Sequence, residues 1–414
     1  MNKKKYHLIT SANESTWKLD RPVIFLGEWC RLYERKHIWE NMDSIVAEPY
    51  GLKQSDKDAD FSLIKNIEEN IFSEFIEILN QYHGTNYRKR YWQIILGHWF
   101  KLSLSVIFKN VKTLQNCFKL YEISGTTFIT NEDYELATQD YKSLIFAIYD
   151  IRWQSFLYNK ILSLLDFKTL KIEIKKEKNQ SNEYKNFRIK QFESNKSIKD
   201  RINVLAHKGY SFLANKFVKD NDTFIIDPYL PLKEEIKLNI ALGQLPQLWK
   251  REKPEISAKT NKLLRKNLTK KFFKNSINDM ENIIRQVLFE LLPVVFLEGF
   301  KSLNQIVNKQ PWPKSPKFIY TCSNFHTDEI FKLWSVLKID KGTKYYIGQH
   351  GNNYGTSKEF YPRVEEETSD KFFTWGWKNN NSKFKSAFIF KTAKKKIIYN
   401  KQGGILLVQK PLGP

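Results

Sequence analysis

The sequence predicts an α/β fold of parallel strands and covering helices, with a large helical insertion in its first part. Two short apolar runs, residues 7–10 and 22–26, end at polar or glycine residues as buried strands do. Residues 317–351 follow a strand, helix, strand pattern, which is typical of a parallel sheet. The stretch from about 60 to 165 instead has apolar residues three and four positions apart, which indicates helices.

The elements follow from these patterns in chain order. After the strand at 22–26 we expect a loop at Gly27 and Glu28 and a helix beginning near Arg31. The helical block predicts one helix ending at Gly84, a second over about 91–109, and a third over 133–165 capped by Asn131. Residues 168–200 predict a hairpin or mobile surface loop, and residues 258–308 predict helix broken at Pro293. A strand is then expected from Lys317, followed by a helix over 328–337. Further strands are predicted over 344–350, 370–377 and 403–409.

The composition restricts the class of partner. The chain has 414 residues and a formal net charge of +23, which favours phosphates, anionic sugars, nucleic acid or anionic lipid. Lysine supplies 56 of the 68 basic residues, so a solvated lysine-rich surface explains much of the charge without any partner. No zinc-finger, RNP or helix-turn-helix signature is present, and we expect no specific nucleic-acid partner.

The chain reads as a cytoplasmic protein. Cys30, Cys117 and Cys322 show no paired spacing, which suits a reducing compartment. The basic start has no apolar segment of a signal peptide behind it, and no run is long enough to span a bilayer. A lysine-rich surface can still rest on the anionic inner membrane, so peripheral association is also expected.

The segment GQHGNNYG, residues 348–355, carries the main catalytic candidate, His350. A histidine at the end of a strand suits a general base, a phosphate partner or a proton shuttle, and the glycines around it allow a ligand to approach the backbone. Gln349, Gly351 and Tyr354 are candidate substrate-binding residues. A tight turn in which the histidine caps its own loop remains the alternative.

The segment TCSNFHTDE, residues 321–329, follows the preceding strand. Ser323 and Asn324 are candidates for binding a substrate hydroxyl or phosphate, and His326 for converging with His350 in one cleft. An ordinary helix N-cap explains the same residues. No HxH or HExxH spacing is present, and no metal site is predicted.

Three other segments carry charged candidates. Glu28 is a possible catalytic base and Arg31 an anion clamp, against a plain helix start with a favourable acid. Arg90 lies in a basic cluster beside aromatics, which suits a sugar or phosphate, against a solvated turn and a buried aromatic pair. Within 365–377, three adjacent acids and Asp370 are either solvated or help to position substrate.

Taken together, these segments resemble a known family. It comprises transferases from bacterial O-antigen and other surface-carbohydrate gene clusters, named after a Leptospira protein. The matching stretches, in the family's order, are LIT and ESTWK near the start, PVIFLGEWCRLY, HGTNYRKRYWQIILGHW, LLPVVFLEGF, SNFHTDEIFKLW, GQHGNNYG and SDKFFTWGW. They extend from residue 8 to about 377, so the resemblance covers most of the chain.

The resemblance implies a GT-B-like arrangement of two α/β domains. Residues 1–370 would form an N-terminal, Rossmann-type acceptor domain with the helical insertion at about 60–165. Residues 371–414 would begin a C-terminal nucleotide-sugar-binding domain. The family commonly reads GQHGG where this chain has Asn352, and asparagine tolerates the left-handed turn better than most residues.

The implied function is transfer of a sugar from a nucleotide-sugar donor to a glycan or lipid-linked acceptor in surface-polysaccharide synthesis. Glu28 or His350 would act as the base, with no metal and no cofactor beyond the donor as co-substrate. This requires the loops that carry Glu28, Asn324 and His350 to meet at a common rim of one sheet. A phosphotransferase using a CDP-linked polyol is the nearest alternative. A non-catalytic basic protein that binds nucleic acid or anionic membrane is another.

The family's second domain is longer than the part present here. We therefore expect the C-terminal domain to be incomplete, the chain to be inactive alone, and residues after about 375 to be poorly ordered.

Overall fold

A computed structural model describes residues 4–165, 167, 170–177, 209–210, 213–251, 256, 258–273, 278–351, 353–356, 363–396, 400–404 and 407. Within these ranges the chain forms two five-stranded sheets in which every pairing is parallel. The α/β class predicted from the sequence is confirmed.

The first sheet has the strand order β3-β2-β1-β4-β5. Its strands are β1 (Lys5–Ile9), β2 (Val23–Phe25), β3 (Ser44–Val46), β4 (Glu122–Thr130) and β5 (Lys171–Lys176). The strands expected at 7–10 and 22–26 are present, and both are buried. The order reverses between β1 and β4, and such a switch point is where open α/β sheets commonly bind ligands.

The second sheet has the order β10-β9-β8-β7-β6. Its strands are β6 (Phe224–Ile226), β7 (Phe318–Thr321), β8 (Lys344–Gly348), β9 (Lys371–Thr374) and β10 (Phe384–Ser386). The strands expected from 317, 344 and 370 are therefore present. They share a sheet that has strands on both sides of residue 370, where the sequence predicted a change of domain. The pairing of β9 with β10 also extends ordered structure beyond the expected limit near 375.

Twelve helices lie within the described ranges. They are α1 (Lys36–Trp39), α2 (Gln54–His83), α3 (Lys89–Leu120), α4 (Tyr141–Ala147), α5 (Ile151–Leu165), α6 (Leu232–Ala241), α7 (Lys262–Phe273), α8 (Asp279–Leu291), α9 (Phe300–Asn308), α10 (Asn324–Thr327), α11 (Glu329–Ile339) and α12 (Val364–Thr368). Gly84 ends α2 with φ of +65°, as predicted, because glycine adopts this left-handed conformation without steric cost.

Several helix predictions need correction. The chain after β2 forms two 3₁₀ turns before α1, so no helix begins at Arg31. The block over 60–165 is interrupted by β4, whose threonine and isoleucine content suits a strand. The single helix over 133–165 is two helices, and Asp140, which accepts a hydrogen bond from the Ser143 amide, caps the first of them. Asn131 instead closes a local turn by accepting from the Asp133 amide.

Two other strand predictions fall partly outside the described residues. Within 168–200 the structure describes β5 and its flanks, and β5 pairs in parallel with β4. The centre of the expected hairpin or surface loop lies outside the described residues. Of 403–409, the described residues 403, 404 and 407 are not in a strand.

Helix α3 is the structural centre of the chain. Its residues 91–100 include no exposed side chain, and Trp92 and Trp99 are fully buried. It packs against α2, α5 and α8, and also against α11 and α12, which lie between strands of the second sheet along the chain. A side chain on α3 can therefore contact residues from both halves of the chain. No described helix is long and apolar enough to cross a bilayer.

Candidate functional site

The polar residues of the second sheet gather at one edge. Strands β6, β7 and β8 are parallel neighbours, so their carboxyl ends lie side by side. Tyr229 follows β6, Ser323 and His326 follow β7, and His350 follows β8. The expected convergence of the His326 and His350 loops is therefore observed.

His350 is exposed and is oriented through one ring nitrogen. Its Nδ1 lies 3.2 Å from the Cys322 carbonyl oxygen and 2.8 Å from the Tyr229 hydroxyl. Because a carbonyl only accepts, the first contact requires the proton on Nδ1. This tautomer leaves the Nε2 lone pair available as a base or acceptor.

The loop after β6 has an unusual backbone. Asp227 and Tyr229 both have positive φ, +44° and +60°, which side-chain-bearing residues seldom adopt. Such strain persists where surrounding contacts enforce it, and it is concentrated at functional sites. Here the Ser323 hydroxyl donates to the Asp227 carboxyl over 3.3 Å, and the Lys391 ammonium lies 4.2 Å above the Tyr229 ring.

A cavity of about 390 Å³ opens beside these strand ends. Its walls come from α3, α4, α10, the loop after β8 and α12. The polar residues that line it are His98, Lys101, Tyr141, Tyr149, His326, His350, Asn353, Tyr354, Arg363 and Glu365. The cavity thus combines three histidines with two basic side chains and one carboxylate.

His326 is a neutral member of this group. Its Nε2 lies 3.4 Å from the Tyr141 hydroxyl, and its ring meets that of His98 edge-on at 5.0 Å between centroids. Burial, aided by the neighbouring His98, lowers the pKa of His326 to about 3. At neutral pH the ring can therefore donate or accept a hydrogen bond without carrying charge.

His98 and Glu365 form the other polar pair of the cavity. The His98 Nε2 lies 3.0 Å from one Glu365 oxygen, and the Tyr354 hydroxyl donates to the other over 2.5 Å. Burial opposes ionisation of Glu365, but these hydrogen bonds outweigh it and lower its pKa to about 2. Burial lowers the pKa of His98 as well, which favours a neutral ring donating from Nε2. Its buried Nδ1 has no hydrogen-bond partner in the described structure.

A glycine allows this pair to form. A Cβ on Gly97 would meet Val364 Cγ1 at 2.9 Å, so only glycine lets α3 approach α12 this closely. The next residue on α3 is His98, and the next on α12 is Glu365. The close helix contact therefore sets the distance between the two polar side chains.

A buried ion pair lies behind the cavity. Lys332 and Glu329 are almost fully buried and 2.5 Å apart, and the Lys332 ammonium also donates to the Ile95 carbonyl of α3. The Tyr141 amide lies 3.4 Å from the Glu329 carboxyl and donates to it. The pair thus joins α11 to α3 and to the start of α4, which carries Tyr141.

The other candidates from the β8 and β7 segments have different surroundings. Gly351 and Tyr354 line the cavity. Gln349 and Asn324 are buried: Gln349 accepts from the Trp375 amide and the Trp377 indole, and Asn324 donates to Asp328. Ser323 bonds to Asp227 beside the cavity. Gln349 and Asn324 therefore stabilise the loops on which His350 and His326 lie.

The remaining candidates lie outside the cavity. Glu28 and Arg31 follow β2 of the first sheet and bond to each other in a bidentate pair at 2.7 and 2.8 Å. Arg90 donates twice to the Thr368 carbonyl and pairs with Asp370 at 3.2 Å, so it fastens α3 to the second sheet. The expectation that Glu28, Asn324 and His350 share the rim of one sheet is wrong, because β2 does not belong to the sheet of β7 and β8.

Sequence reasoning missed His98, Tyr141 and Tyr229 as site residues. His98 lies in an apolar helix and resembles a core residue, and Tyr229 follows a three-residue strand that the sequence did not predict. Glu365 belongs to the three adjacent acids for which the sequence allows either a solvated position or a role in positioning substrate. The positive φ values of the loop after β6 do mark this site, but they appear only in the three-dimensional structure.

No group of three His, Cys, Asp or Glu side chains suited to a metal ion occurs among the residues that the structure describes. The three cysteines are buried, and burial raises the pKa of each thiol to about 12. Thiol chemistry is thus disfavoured at this site.

The chain thus has two parallel α/β sheets and a polar cavity at the strand ends of the second, the edge at which open α/β sheets bind their ligands. The family model described as LIC12162 family transferase matches residues 6–413, and the chain belongs to this family. No curated protein and no solved structure was found to match the chain.

Proposed function

We propose that this transferase is a glycosyltransferase of bacterial surface-polysaccharide synthesis, which moves a sugar from a nucleotide-sugar donor to a glycan or lipid-linked acceptor. The observation that carries the proposal is His350, held through Nδ1 at the ends of three adjacent parallel strands and bordering the cavity. The two parallel sheets suit a GT-B-like enzyme, in which donor and acceptor meet between α/β units.

In this proposal His350 is the general base. Its Nε2 takes the proton of the acceptor hydroxyl while the acceptor oxygen bonds to the anomeric carbon of the donor sugar. The bond from that carbon to the donor phosphate oxygen breaks, and the electron pair leaves with the nucleotide. Lys101 and Arg363, which line the cavity, supply positive charge near the departing phosphate.

The structure favours His350 over Glu28 as the base. Glu28 is held by Arg31, whose hydrogen bonds lower the pKa of its carboxyl and weaken it as a proton acceptor. Metal independence, a cytoplasmic location and peripheral contact with the inner membrane remain predictions from the sequence.

The test is a donor screen with CMP-, CDP-, UDP- and GDP-linked sugars and a CDP-linked polyol, measuring nucleotide release and donor binding by calorimetry. The proposal expects one nucleotide sugar to bind and turn over, with turnover lost in His350→Ala and binding retained. Turnover by this chain would also contradict the expectation from the sequence that it is inactive alone. Turnover only of the CDP-polyol, with phosphate carried to the acceptor, would establish the phosphotransferase alternative instead.

A third outcome would overturn enzymatic function at this site. If no donor binds, and the chain instead binds nucleic acid or anionic vesicles with an affinity that collapses with salt and survives His350→Ala, the chain is a basic binding protein.

A further inference from the structure

A second, larger cavity lies at the first sheet. It has a volume of about 780 Å³ and begins where β4 ends. One wall is α7, another is α5, and a third is the segment from Phe128 to Ala137. We call it the α7 groove. None of the candidate residues from the sequence lines it.

The α7 wall carries a row of cations. Lys262, Lys266 and Lys270 are four residues apart, so they share one helix face with about 6 Å between successive positions. Lys262 donates to the Glu132 carbonyl. Lys266 and Lys270 are exposed and make no ion pair within the described structure. Like charges at this spacing destabilise a helix, and an anionic ligand would relieve that repulsion.

Helix α7 is held rigidly in place. The buried Arg265 guanidinium forms two hydrogen bonds with the Glu298 carboxylate, at 2.8 and 2.6 Å. It also donates to the Phe289 and Leu292 carbonyls, at 2.8 and 2.6 Å. The lysines therefore project from a fixed element, which lowers the entropy cost of binding.

The other walls offer groups that suit sugars. Tyr134 stacks on Phe156 with 3.9 Å between ring centroids, and Asn159 and Glu135 border the same space. The Thr269 hydroxyl is buried in the lining and has no hydrogen-bond partner among the residues that the structure describes. Amide, carboxyl and hydroxyl groups can bond to sugar hydroxyls, while the lysine row can pair with charges on the same ligand.

The groove is connected to the cavity of His350 by one chain segment. Residues 128–137 line the groove, and Tyr141 a few positions later lines the other cavity. Between them, the carbonyls of Thr138 and Gln139 accept hydrogen bonds from Val294 and Val295, which fixes the segment. Ala137 of the groove and Tyr141 of the His350 cavity are thus four positions apart on one fixed segment.

We propose that the α7 groove binds an anionic glycan, a sugar chain carrying carboxylate or phosphate groups. Its role as the acceptor rests on the proposed function, but the binding itself does not. The concave shape and the amide and hydroxyl lining favour a sugar chain over a flat bilayer, for which a lysine row alone would suffice.

The test measures binding by calorimetry at low and high salt. The probes are hexagalacturonate for carboxylates, maltohexaose 1-phosphate for phosphate, and neutral maltohexaose of the same length. The variant is Lys266→Glu with Lys270→Glu. Its control is Lys53→Glu with Lys57→Glu, an exposed lysine pair of the same spacing at the start of α2.

An anionic probe should bind the wild type and the control alike, bind the groove variant at least roughly tenfold more weakly, and lose affinity with salt. Equal binding of neutral maltohexaose, an unchanged affinity in the groove variant, or no binding of either anionic probe would overturn the proposal. Vesicles containing phosphatidylglycerol form a further arm: groove-dependent vesicle binding without binding of the anionic sugars would assign the surface to the membrane instead.

Failure here can be told apart from failure of the proposed function. Hydrolysis of the donor by water needs no acceptor, so the groove variant should retain it while losing the anionic probe. A chain that binds the probe through α7 but turns over no donor would keep the groove and refute the glycosyltransferase. A chain that turns over a donor but shows no groove-dependent binding would support the glycosyltransferase and refute the groove proposal.

Discussion

The two sheets end in different ways at their carboxyl edges. At the first sheet, charged residues satisfy one another: Glu28 pairs with Arg31, and Glu14 pairs with Arg35, both in bidentate geometry. At the second sheet, His350 is held by a backbone carbonyl and a tyrosine hydroxyl, which leaves one ring nitrogen available.

The difference shows that residue type alone does not make a site. Both edges carry an ionisable group just after a strand, as the sequence predicted. A carboxylate saturated by a guanidinium is a weak base, whereas a histidine bonded through one nitrogen can accept a proton on the other. The edge of the second sheet, where one histidine nitrogen remains available, is therefore the better candidate for chemistry. Four predictions test this contrast.

The largest expected effect is on turnover. His350→Ala should lower kcat by about a hundredfold to ten-thousandfold, the range for loss of a general base, once a donor is identified. Glu28→Gln should change kcat by less than about threefold, because its pair with Arg31 lies outside the cavity. If steady-state assays show a larger loss of kcat for Glu28→Gln than for His350→Ala, the catalytic site lies at the first sheet.

The second effect concerns stability. Lys332→Met should lower the free energy of unfolding by about 3 kcal/mol or more, because it leaves Glu329 buried without its partner. Arg31→Ala, which breaks the exposed pair of the first edge, should cost less than about 1 kcal/mol. Urea unfolding curves measure both, and equal losses would mean that burial does not distinguish the two pairs.

The third effect is a pH dependence at the second edge. Burial lowers the pKa of His326 to about 3, from 6.5. Its contribution to the free energy of unfolding is therefore complete above pH 6.5 and decreases as the pH falls toward 3. The slope should be at most about 1.4 kcal/mol for each pH unit. The carboxyls of Glu14 and Glu28 have a lowered pKa and lose their contribution only below pH 4.5.

The variant His326→Gln isolates the contribution of His326 to the pH dependence of stability. Burial raises the pKa of Glu235 and Glu329 to about 7, and these groups contribute with the opposite sign between pH 4.5 and 7. The relevant quantity is therefore the wild type minus the variant. Parallel stability curves for the two proteins from pH 7 to pH 4 would show that His326 does not titrate as described.

The smallest expected effect is at the contact that joins α3 to the second sheet. Gly97→Ala should destabilise the protein by about 1 kcal/mol, because the new methyl group meets Val364 at 2.9 Å and outweighs the better helix propensity of alanine. Val364→Ala in the same chain should recover most of this loss. If the losses in stability of Gly97→Ala and Val364→Ala simply add in the double variant, the strain does not arise from the contact between these two residues.

The sequence correctly predicted features that depend on neighbours along the chain. Alternation and helical spacing identified β1, β2, β7, β8, α2 and most of α3, because these patterns follow from which face of an element is buried. They failed at β6, a three-residue strand, and at β4, which lies within a helical context. Gly84 was recognised as a helix end because its φ requirement is local.

The α/β class, the family and the placement of His350 at a strand end could all be predicted from local sequence patterns and motifs. The strand order of each sheet, the position of Glu28 and His350 on different sheets, and the contact of His98 with Glu365 across 267 positions became apparent only in three dimensions. The reason is physical: local patterns encode where the chain is buried and where it turns. The choice of neighbouring strands and helices is made by packing among distant segments, and that packing determines which ionisable groups are paired and which remain open.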